Sequence, residues 1–263
     1  MARERISAHP DSLPTYLGKL WKYRQLIWVF AIRDLKVKYS QTIIGLAWSV
    51  IQPLTALVIF TFFFGYVLDW KADSLPYSVY ILSGLLGWNF FSYIVSSGSA
   101  SIQESSHLIK KVYFPKSVLP LSKVLVAFVE LMLSLVLLIP LLLYYKISVS
   151  VNVVFIPLVL TYNAICGLAV VFWVAAFAYQ KRDLFHLLPF VLYFGIWLTP
   201  VFFTADFLPE SVCWMLDLNP MAQVIDLWRW SVFSYQDIGL THLTGFLSMA
   251  LKTKIMCSKF SNY

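Results

Sequence analysis

Six long hydrophobic runs constrain the fold of this chain more than any other feature of its sequence. A helix needs about 20 apolar residues to cross the hydrocarbon core of a bilayer. The runs occupy residues 43–68, 77–100, 118–145, 149–178, 184–204 and 238–257. The last run is the weakest, because its apolar part gives only about 21 Å of helix. The pattern predicts an all-α integral membrane protein with six transmembrane helices.

Composition excludes the soluble classes of protein. The chain is 60% hydrophobic and 13% charged, whereas a soluble domain is about 45–50% apolar and about 25% charged. A soluble protein of this size could not bury so much apolar surface. Disordered, fibrous and disulfide-stapled classes are excluded as well. The three cysteines, Cys166, Cys213 and Cys257, form no CxxC pair, and we interpret them as packing residues.

The basic residues predict the orientation in the membrane, because cytoplasmic loops retain Lys and Arg. Of the 20 Lys and Arg residues, 17 fall on the side that holds the N-terminal segment, the loops after the second and fourth runs, and the tail. Both termini are therefore predicted to be cytoplasmic, with 1–42 as a cytoplasmic N-terminal region and 43–263 as the transmembrane domain. This topology explains the net charge of +7 better than nucleic-acid binding does. Residues 1–25 are polar, so no cleavable signal peptide is expected.

Three segments outside the runs have features of their own. Residues 17–40 are predicted to form an amphipathic helix on the inner membrane surface, or else a polar lead into the first span. The loop at 101–117 is either a short cytoplasmic helix that ends at Pro115 or a basic loop that topology alone requires. The Trp-rich segment 205–237 predicts short re-entrant helices at the periplasmic interface.

The sequence carries no catalytic or metal-binding pattern. It has no G-x-x-x-x-G-K-[ST], so the chain cannot cradle ATP phosphates itself. Its four histidines lie in separate segments and make no metal-ligand spacing. We therefore expect a protein that is not an enzyme, with no metal or cofactor bound to this chain.

Glu130 is a carboxyl group near the middle of the third run, where an unpaired charge is costly. One hypothesis gives it a functional role. The other makes it a hydrogen-bonded group that joins two helices. The sequence shows no Lys or Arg partner at its depth, which argues against a charge-relay transporter.

Three groups of motif residues resemble one family in its order along the chain. They are Arg33-Asp34-Leu35-Lys36-Val37-Lys38-Tyr39 with Gln41, Gly45, Trp48 and Gln52-Pro53; Leu108-Ile109-Lys110-Lys111-Val112-Tyr113-Phe114-Pro115 with Pro120; and Thr199-Pro200-Val201 with Leu218-Asn219-Pro220. The chain resembles the ABC-2 type permease subunits of bacterial polysaccharide ABC exporters, which serve O-antigen, capsule and teichoic-acid export.

The resemblance implies a homodimer of six-span subunits in the bacterial inner membrane. It implies two soluble ATP-binding subunits as partners, which hold ATP and Mg, and a channel for an undecaprenyl-pyrophosphate-linked glycan. Membrane lipids are further expected contacts, and nucleic acid is not. The end of the chain departs from the family pattern, because Lys252, Lys254 and Lys259 interrupt an atypically short last span.

Two sets of candidate site residues follow. Aromatic faces suit a sliding sugar chain, because ring faces stack on C–H edges without one required hydrogen-bond pattern. The candidate channel aromatics are Trp48, Trp88, Tyr93, Tyr193 and Trp197, and the alternative for each is a lipid-facing anchor. A permease without a phosphate loop must receive ATP-driven motion through a cytoplasmic contact. The candidates for this coupling contact are Glu104, His107, Leu108, Ile109, Lys110 and Lys111.

Two other function classes remain as alternatives. One is a membrane scaffold or enzyme of envelope-glycan synthesis. The other is an ion-driven secondary transporter, for which inverted repeats and several buried charges are expected. Neither feature is visible in the sequence.

Overall fold

The computed structural model of the chain describes residues 13–40, 45–68, 75–105, 111–178, 183–204, 209, 214–216 and 219–234. Its regular secondary structure in these ranges is helical. Nine α-helices within them are α1 (Leu13–Lys22), α2 (Arg24–Ser40), α3 (Trp48–Phe60), α4 (Tyr77–Glu104), α5 (Val118–Leu135), α6 (Leu138–Tyr145), α7 (Ile156–Ala178), α8 (Asp183–Gly195) and α9 (Pro220–Phe233). A π-helical segment, Thr61–Val67, extends α3, and 3₁₀ turns at Gly45–Ala47 and Val151–Phe155 precede α3 and α7.

Four helical segments within the described ranges are long and apolar enough to cross a membrane. They are Trp48–Val67, Tyr77–Glu104, Val118–Tyr145 and Val151–Phe177. Each falls on one of the first four hydrophobic runs, because length and apolarity are local properties of the sequence. The chain is therefore an all-helical protein with four candidate membrane spans in its described part.

The fifth run differs from its predicted extent. Its helix, α8, has 13 residues, which correspond to about 20 Å and are too few to cross a bilayer alone. The chain continues as turns through Pro200, and a residue that precedes proline is disfavoured in the α conformation. Residues 184–204 are thus not one continuous helix. The predicted sixth run, 238–257, lies outside the described residues.

Helix α4 is the central element of the fold. It packs against α5 and α7 most extensively and also against α3, α8 and α9. Most of its residues are buried, and Ile81, Leu82 and Ile94 are fully buried. Close packing with α7 depends on a small residue, because a Cβ at Gly98 would lie 2.9 Å from Val171.

The N-terminal segment forms two helices instead of the single amphipathic helix predicted over 17–40. The break falls at Tyr23, between α1 and α2. Phe30 packs with Phe114, Val118 and Leu119 at the start of α5. Apolar residues that were predicted to face the membrane surface therefore divide between this protein contact and an exposed side.

Helix α9 lies within the Trp-rich segment 205–237 and packs against α4 and α7. Asn219 caps it, since its side-chain oxygen accepts a hydrogen bond from the Met221 backbone N–H at 3.0 Å. The Asn219 amide also donates to Thr199 Oγ1 at 3.0 Å and to the Leu198 carbonyl at 3.1 Å. Two motif segments that are about 20 residues apart in sequence are thereby joined.

Candidate functional site

A large cavity lies among α3, α4, α5 and α8, with a volume of about 990 Å³. Its walls include Lys38 from α2, and Trp197 and Phe202 from the turns after α8. Ligand-binding sites are usually concave pockets of this size that combine aromatic and polar side chains. It is the candidate functional site of the described chain.

All five candidate channel aromatics line this cavity: Trp48, Trp88, Tyr93, Tyr193 and Trp197. They come from three regions of the sequence, and the helix packing brings them together. Trp48, Tyr193 and Trp197 are 49%, 67% and 45% exposed, so the rest of the described chain leaves their rings uncovered. Trp88 is only 6% exposed, and its indole packs closely on Gly195. Its role in the wall is therefore mainly one of packing.

Two further aromatic residues, Phe60 and Phe202, were missed by the sequence analysis. The Phe60 ring stacks on Phe202 with centroids 4.2 Å apart, and Trp197 lies 4.9 Å from Phe202. The third pair, Phe60 and Trp197, meets edge to face at 6.0 Å. These are favourable geometries for aromatic pairs. The three rings form one aromatic cluster in the wall, which only the tertiary contact between α3 and the turns after α8 creates.

One face of α4 adds polar groups to the cavity. Asn89, Ser92, Tyr93 and Ser96 all line it, at spacings of three, four and seven residues that place them on one side of a helix. Asn89 is exposed, whereas its neighbours Trp88 and Phe90 are buried. Polar residues that recur every three or four positions within a long apolar run mark one polar face of a helix. This pattern is visible in the sequence, but it was not among the predicted site features.

Glu130 lies in the cavity wall and forms an ion pair with Lys38 of α2. The prediction that Glu130 has no basic partner at its depth was therefore wrong. Lys38 precedes the first hydrophobic run, and its distance from Glu130 depends on how α2 packs along α5. The Lys38 ammonium also lies 4.8 Å from the centroid of the Tyr93 ring, within range of a cation–π contact.

Tyr39 connects the same ion pair to α3. Its hydroxyl is 2.8 Å from Ser49 Oγ and donates to Glu130 Oε1 at 3.4 Å. Burial raises the pKa of the Tyr39 phenol, and the nearby Glu130 carboxylate adds to this effect. The phenol therefore stays protonated at neutral pH and remains a hydrogen-bond donor.

A second ion pair joins α2 to α5. Asp34 Oδ2 lies 2.8 Å from Lys123 Nζ, and the Arg33 guanidinium contacts the other Asp34 oxygen at 2.7 Å. Along α2 an acid, Asp34, is followed by a base, Lys38. Along α5 the order is reversed, with the base Lys123 followed by the acid Glu130. The charges are matched only in the observed alignment of the two helices.

Arg229 of α9 is a buried cation, only 1% exposed, in the part of the molecule that holds the aromatic cluster. Its guanidinium donates to the carbonyls of Pro200 at 2.8 Å and Val201 at 3.1 Å. It also stacks over the Tyr80 ring at 3.6 Å. Several donors in a fixed planar fork suit this arrangement. Arg229 therefore positions the corner from which Phe202 projects into the cavity.

The candidate coupling residues are described only in part. Glu104, the last residue of α4, and Lys111 are both exposed. His107, Leu108, Ile109 and Lys110 lie outside the described residues. Immediately after this segment, Ser117 Oγ lies 2.6 Å from the Tyr16 hydroxyl of α1. The N-terminal helices thus contact the chain directly beyond the coupling candidates.

The described walls of the cavity offer a ligand aromatic and polar contacts. Among the described residues, no group of three or more His, Cys, Asp or Glu side chains could hold a metal ion. The walls supply aromatic faces, hydroxyl and amide groups, and one ion pair. This set of groups suits a ligand that presents both hydroxyl groups and apolar C–H faces.

Comparison with known proteins gives a consistent result. The profile of the family described as ABC-2 type transporter matches residues 25–233. The O-antigen export system permease protein RfbA of Klebsiella pneumoniae is 28% identical over 229 residues, which cover 84% of this chain and 87% of that protein. A protein of the same name from Myxococcus xanthus is 29% identical over 226 residues, covering 85% and 84%. The polysialic acid transport protein KpsM of Escherichia coli is 23% identical over 231 residues, covering 84% and 87%.

Proposed function

This chain belongs to the ABC-2 type transporter family, and we propose that it is the membrane-spanning permease subunit of an ATP-driven polysaccharide exporter. Its cargo is a lipid-linked O-antigen, capsule or related polysaccharide. The relatives named as O-antigen export and polysialic acid transport proteins support this substrate class. The observation that carries the proposal is the aromatic and polar cavity among the candidate spans.

The chemistry of the cavity suits the passage of a sugar chain. A pyranose ring has C–H faces that pack on aromatic rings and hydroxyl groups that both donate and accept hydrogen bonds. Accessible rings at Trp48, Tyr193 and Trp197 provide the first kind of contact, and the polar face of α4 provides the second. None of these contacts requires one fixed position of the ligand, which a moving polymer needs.

The proposed architecture has six spans, in the bacterial inner membrane, with both termini in the cytoplasm. Residues 1–42 form the cytoplasmic N-terminal region and 43–263 the transmembrane domain, and two copies of the chain form the exporter. The distribution of basic residues supports this orientation. The helix α9 is proposed as one of the short re-entrant periplasmic helices, which its 14 residues and its packing on α4 support.

ATP and Mg are proposed to bind two separate soluble subunits, because this sequence has no phosphate-binding loop. The segment from Glu104 to Lys111 is the proposed contact with those subunits. Motion there has a short path to the cavity: the chain beyond it packs on α1 and α2, and α2 carries Lys38. The proposed coupling therefore runs through packed elements rather than through a flexible loop.

Export from a deletion strain tests the proposed function. We expect loss of the surface polysaccharide on deletion, and recovery with the wild-type gene. Trp197→Ala should reduce export about two- to tenfold, because one ring contact contributes about 0.5–1.5 kcal/mol. Trp173→Ala is the matched control, since Trp173 is comparably exposed on α7 but does not line the cavity. Unchanged surface polysaccharide in the deletion strain would contradict the proposal.

The coupling contact has its own test. We expect Leu108→Asp to insert into the membrane normally but to copurify poorly with the ATP-binding subunit, because a charge would be placed in an apolar contact. Lys116→Ala is the control, since Lys116 lies beyond Pro115 and is exposed. Copurification of the Leu108→Asp chain at wild-type stoichiometry, with normal export, would remove this segment from the coupling contact.

A further inference from the structure

The charges in the cavity wall cancel. Among the lining residues that the structure describes, Lys38 and Glu130 are the charged ones, and they are paired with each other. Every other described lining residue is neutral. The described part of the wall therefore presents no excess of positive charge to a ligand that carries anionic groups.

Apart from Lys38 and Glu130, the polar groups in the described wall are neutral, and most of them come from two helices. Ser49, Gln52 and Thr55 of α3 repeat at a spacing of three residues and line the cavity together with the polar face of α4. Hydroxyl and carboxamide groups can both donate and accept hydrogen bonds, as sugar hydroxyl groups can. They can donate hydrogen bonds to a carboxylate or phosphate, but unlike Arg and Lys they supply no positive charge to neutralise it.

The surroundings of the cavity make it unfavourable to place an anionic group there. Its walls are formed largely by helices that are candidate membrane spans, together with α8. Moving a carboxylate out of water into such surroundings without a cationic partner is strongly unfavourable. A glycan with one acidic group on each sugar would bring several such charges into the cavity at once, whereas an uncharged glycan would bring none.

We infer that this cavity takes an uncharged stretch of glycan, whose hydroxyl groups hydrogen-bond to Asn89, Ser92 and Ser96 and whose C–H faces rest on Trp48, Tyr193 and Trp197. The inference rests on the proposed export function and narrows its substrate class. The Lys38–Glu130 pair neutralises itself and leaves the binding of the glycan to neutral groups.

Two matched sugar hexamers test the inference on the purified full-length chain in lipid nanodiscs. The probes are maltohexaose, which is uncharged, and hexagalacturonate, which carries one carboxylate on each sugar. Binding is measured by saturation-transfer difference NMR titration. We expect maltohexaose to bind at least about tenfold more tightly than hexagalacturonate, because unpaired carboxylates lose their hydration in the cavity.

Variants of α4 locate the binding site. Ser96→Ala and Asn89→Leu should each weaken maltohexaose binding about fivefold, the loss expected for one hydrogen bond. Ser99→Ala is the matched control, because Ser99 lies on the same helix but is buried and outside the cavity wall. Asn89→Ser replaces Asn89→Leu if the latter is not monodisperse after purification. Ser96→Lys should add a cation and improve hexagalacturonate binding relative to maltohexaose.

The outcomes separate this inference from the proposed function. Equal or tighter binding of hexagalacturonate to the wild-type chain would overturn the uncharged substrate class. The same holds if neither hexamer binds, or if Ser96→Ala and Ser99→Ala behave alike. Loss of surface polysaccharide on deletion would still support the export function in each of these cases. Only unchanged polysaccharide in the deletion strain would contradict that function itself.

Discussion

The Arg229 guanidinium fills the space beside Gly84 where a side chain would otherwise lie. At the residue scale, this contact determines the position of the aromatic cluster. A Cβ at Gly84 would lie 2.7 Å from Arg229 Nη2 and 3.1 Å from the Val201 carbonyl oxygen. The guanidinium reaches the Pro200 and Val201 carbonyls only because α4 has no side chain at this point. The pair therefore fixes the position of Phe202, whose ring contacts Trp197 in a tilted arrangement.

We predict that Gly84→Ala destabilises the protein by about 1–3 kcal/mol, the usual cost of overpacking a filled interior. Either Arg229 or the Val201 backbone must move, and the buried hydrogen bonds lengthen. Thermal unfolding in detergent, followed by size-exclusion chromatography, measures the effect.

Gly18→Ala is the matched control, because nothing lies within 4 Å of a Cβ at Gly18. It should be neutral or slightly stabilising, since Ala favours helix over Gly. Equal stability of both variants would show that Arg229 has room to move and does not position this corner.

At the scale of elements, the alignment of α2 on α5 combines apolar packing with two ion pairs. Phe30 packs on the start of α5, and the pairs Asp34–Lys123 and Lys38–Glu130 follow farther along both helices. Both helices therefore run in the same direction. Sliding α2 along α5 until Asp34 faced Glu130 would bring like charges together, which is unfavourable. The crossed charges thus specify the alignment more than they add stability.

Exchange of one pair tests this alignment. We expect Lys38→Glu and Glu130→Lys each to lower thermal stability and export, because each places two like charges in contact. The double variant with both changes should recover most of the loss, since it restores the attraction in reverse. Glu130→Gln should be milder than either reversal, because a partly exposed pair contributes only about 1 kcal/mol and the amide can still accept from Tyr39.

Lys36→Glu is the control for this exchange, since Lys36 is exposed on the same helix and does not line the cavity. It should leave stability and export near those of the wild type. If the double variant were as impaired as the worse single one, the pair would not be responsible for the alignment. A direct role of one of the two charges in export would then be the better explanation.

At the scale of the whole molecule, one asymmetry of charge predicts the orientation in the membrane. In the proposed six-span topology, 17 of the 20 basic residues lie on one side, and the preference of Lys and Arg for cytoplasmic loops predicts that this side is the cytoplasmic one. If the four candidate spans cross the membrane alternately, the connections after the first, second and third spans are expected on alternating sides of the membrane.

We predict that reporter fusions after Lys71 and Lys146 are periplasmic, and that fusions after Lys111 and Lys181 are cytoplasmic. Paired alkaline phosphatase and fluorescent-protein fusions measure this, since the first is active only outside the cytoplasm and the second only inside it. Periplasmic activity after Lys111 would contradict the assignment of every span.

Several features of the fold were predictable because they depend on local sequence. A run of about 20 apolar residues forms a helix in lipid whatever its neighbours are, since backbone groups must be satisfied within the segment. The first four runs were therefore predicted correctly as helices that are long and apolar enough to cross a membrane. The end of α8 was missed, because the hydropathy of residues 184–204 stays high beyond Gly195 while the backbone turns ahead of Pro200.

The sequence by itself determined that this chain is a helical membrane protein, and its motif residues indicated the family that the profile match confirms. Its aromatic residues were predictable as a set, but their arrangement around one cavity depended on how α3, α4 and α8 pack. The partner of Glu130 and the contacts of Arg229 were decided only by tertiary structure. The physical reason is that hydrophobic length acts within one segment, whereas a buried charge is stabilised by groups that lie far away in sequence: Lys38 is 92 residues from Glu130, and Pro200 is 29 residues from Arg229.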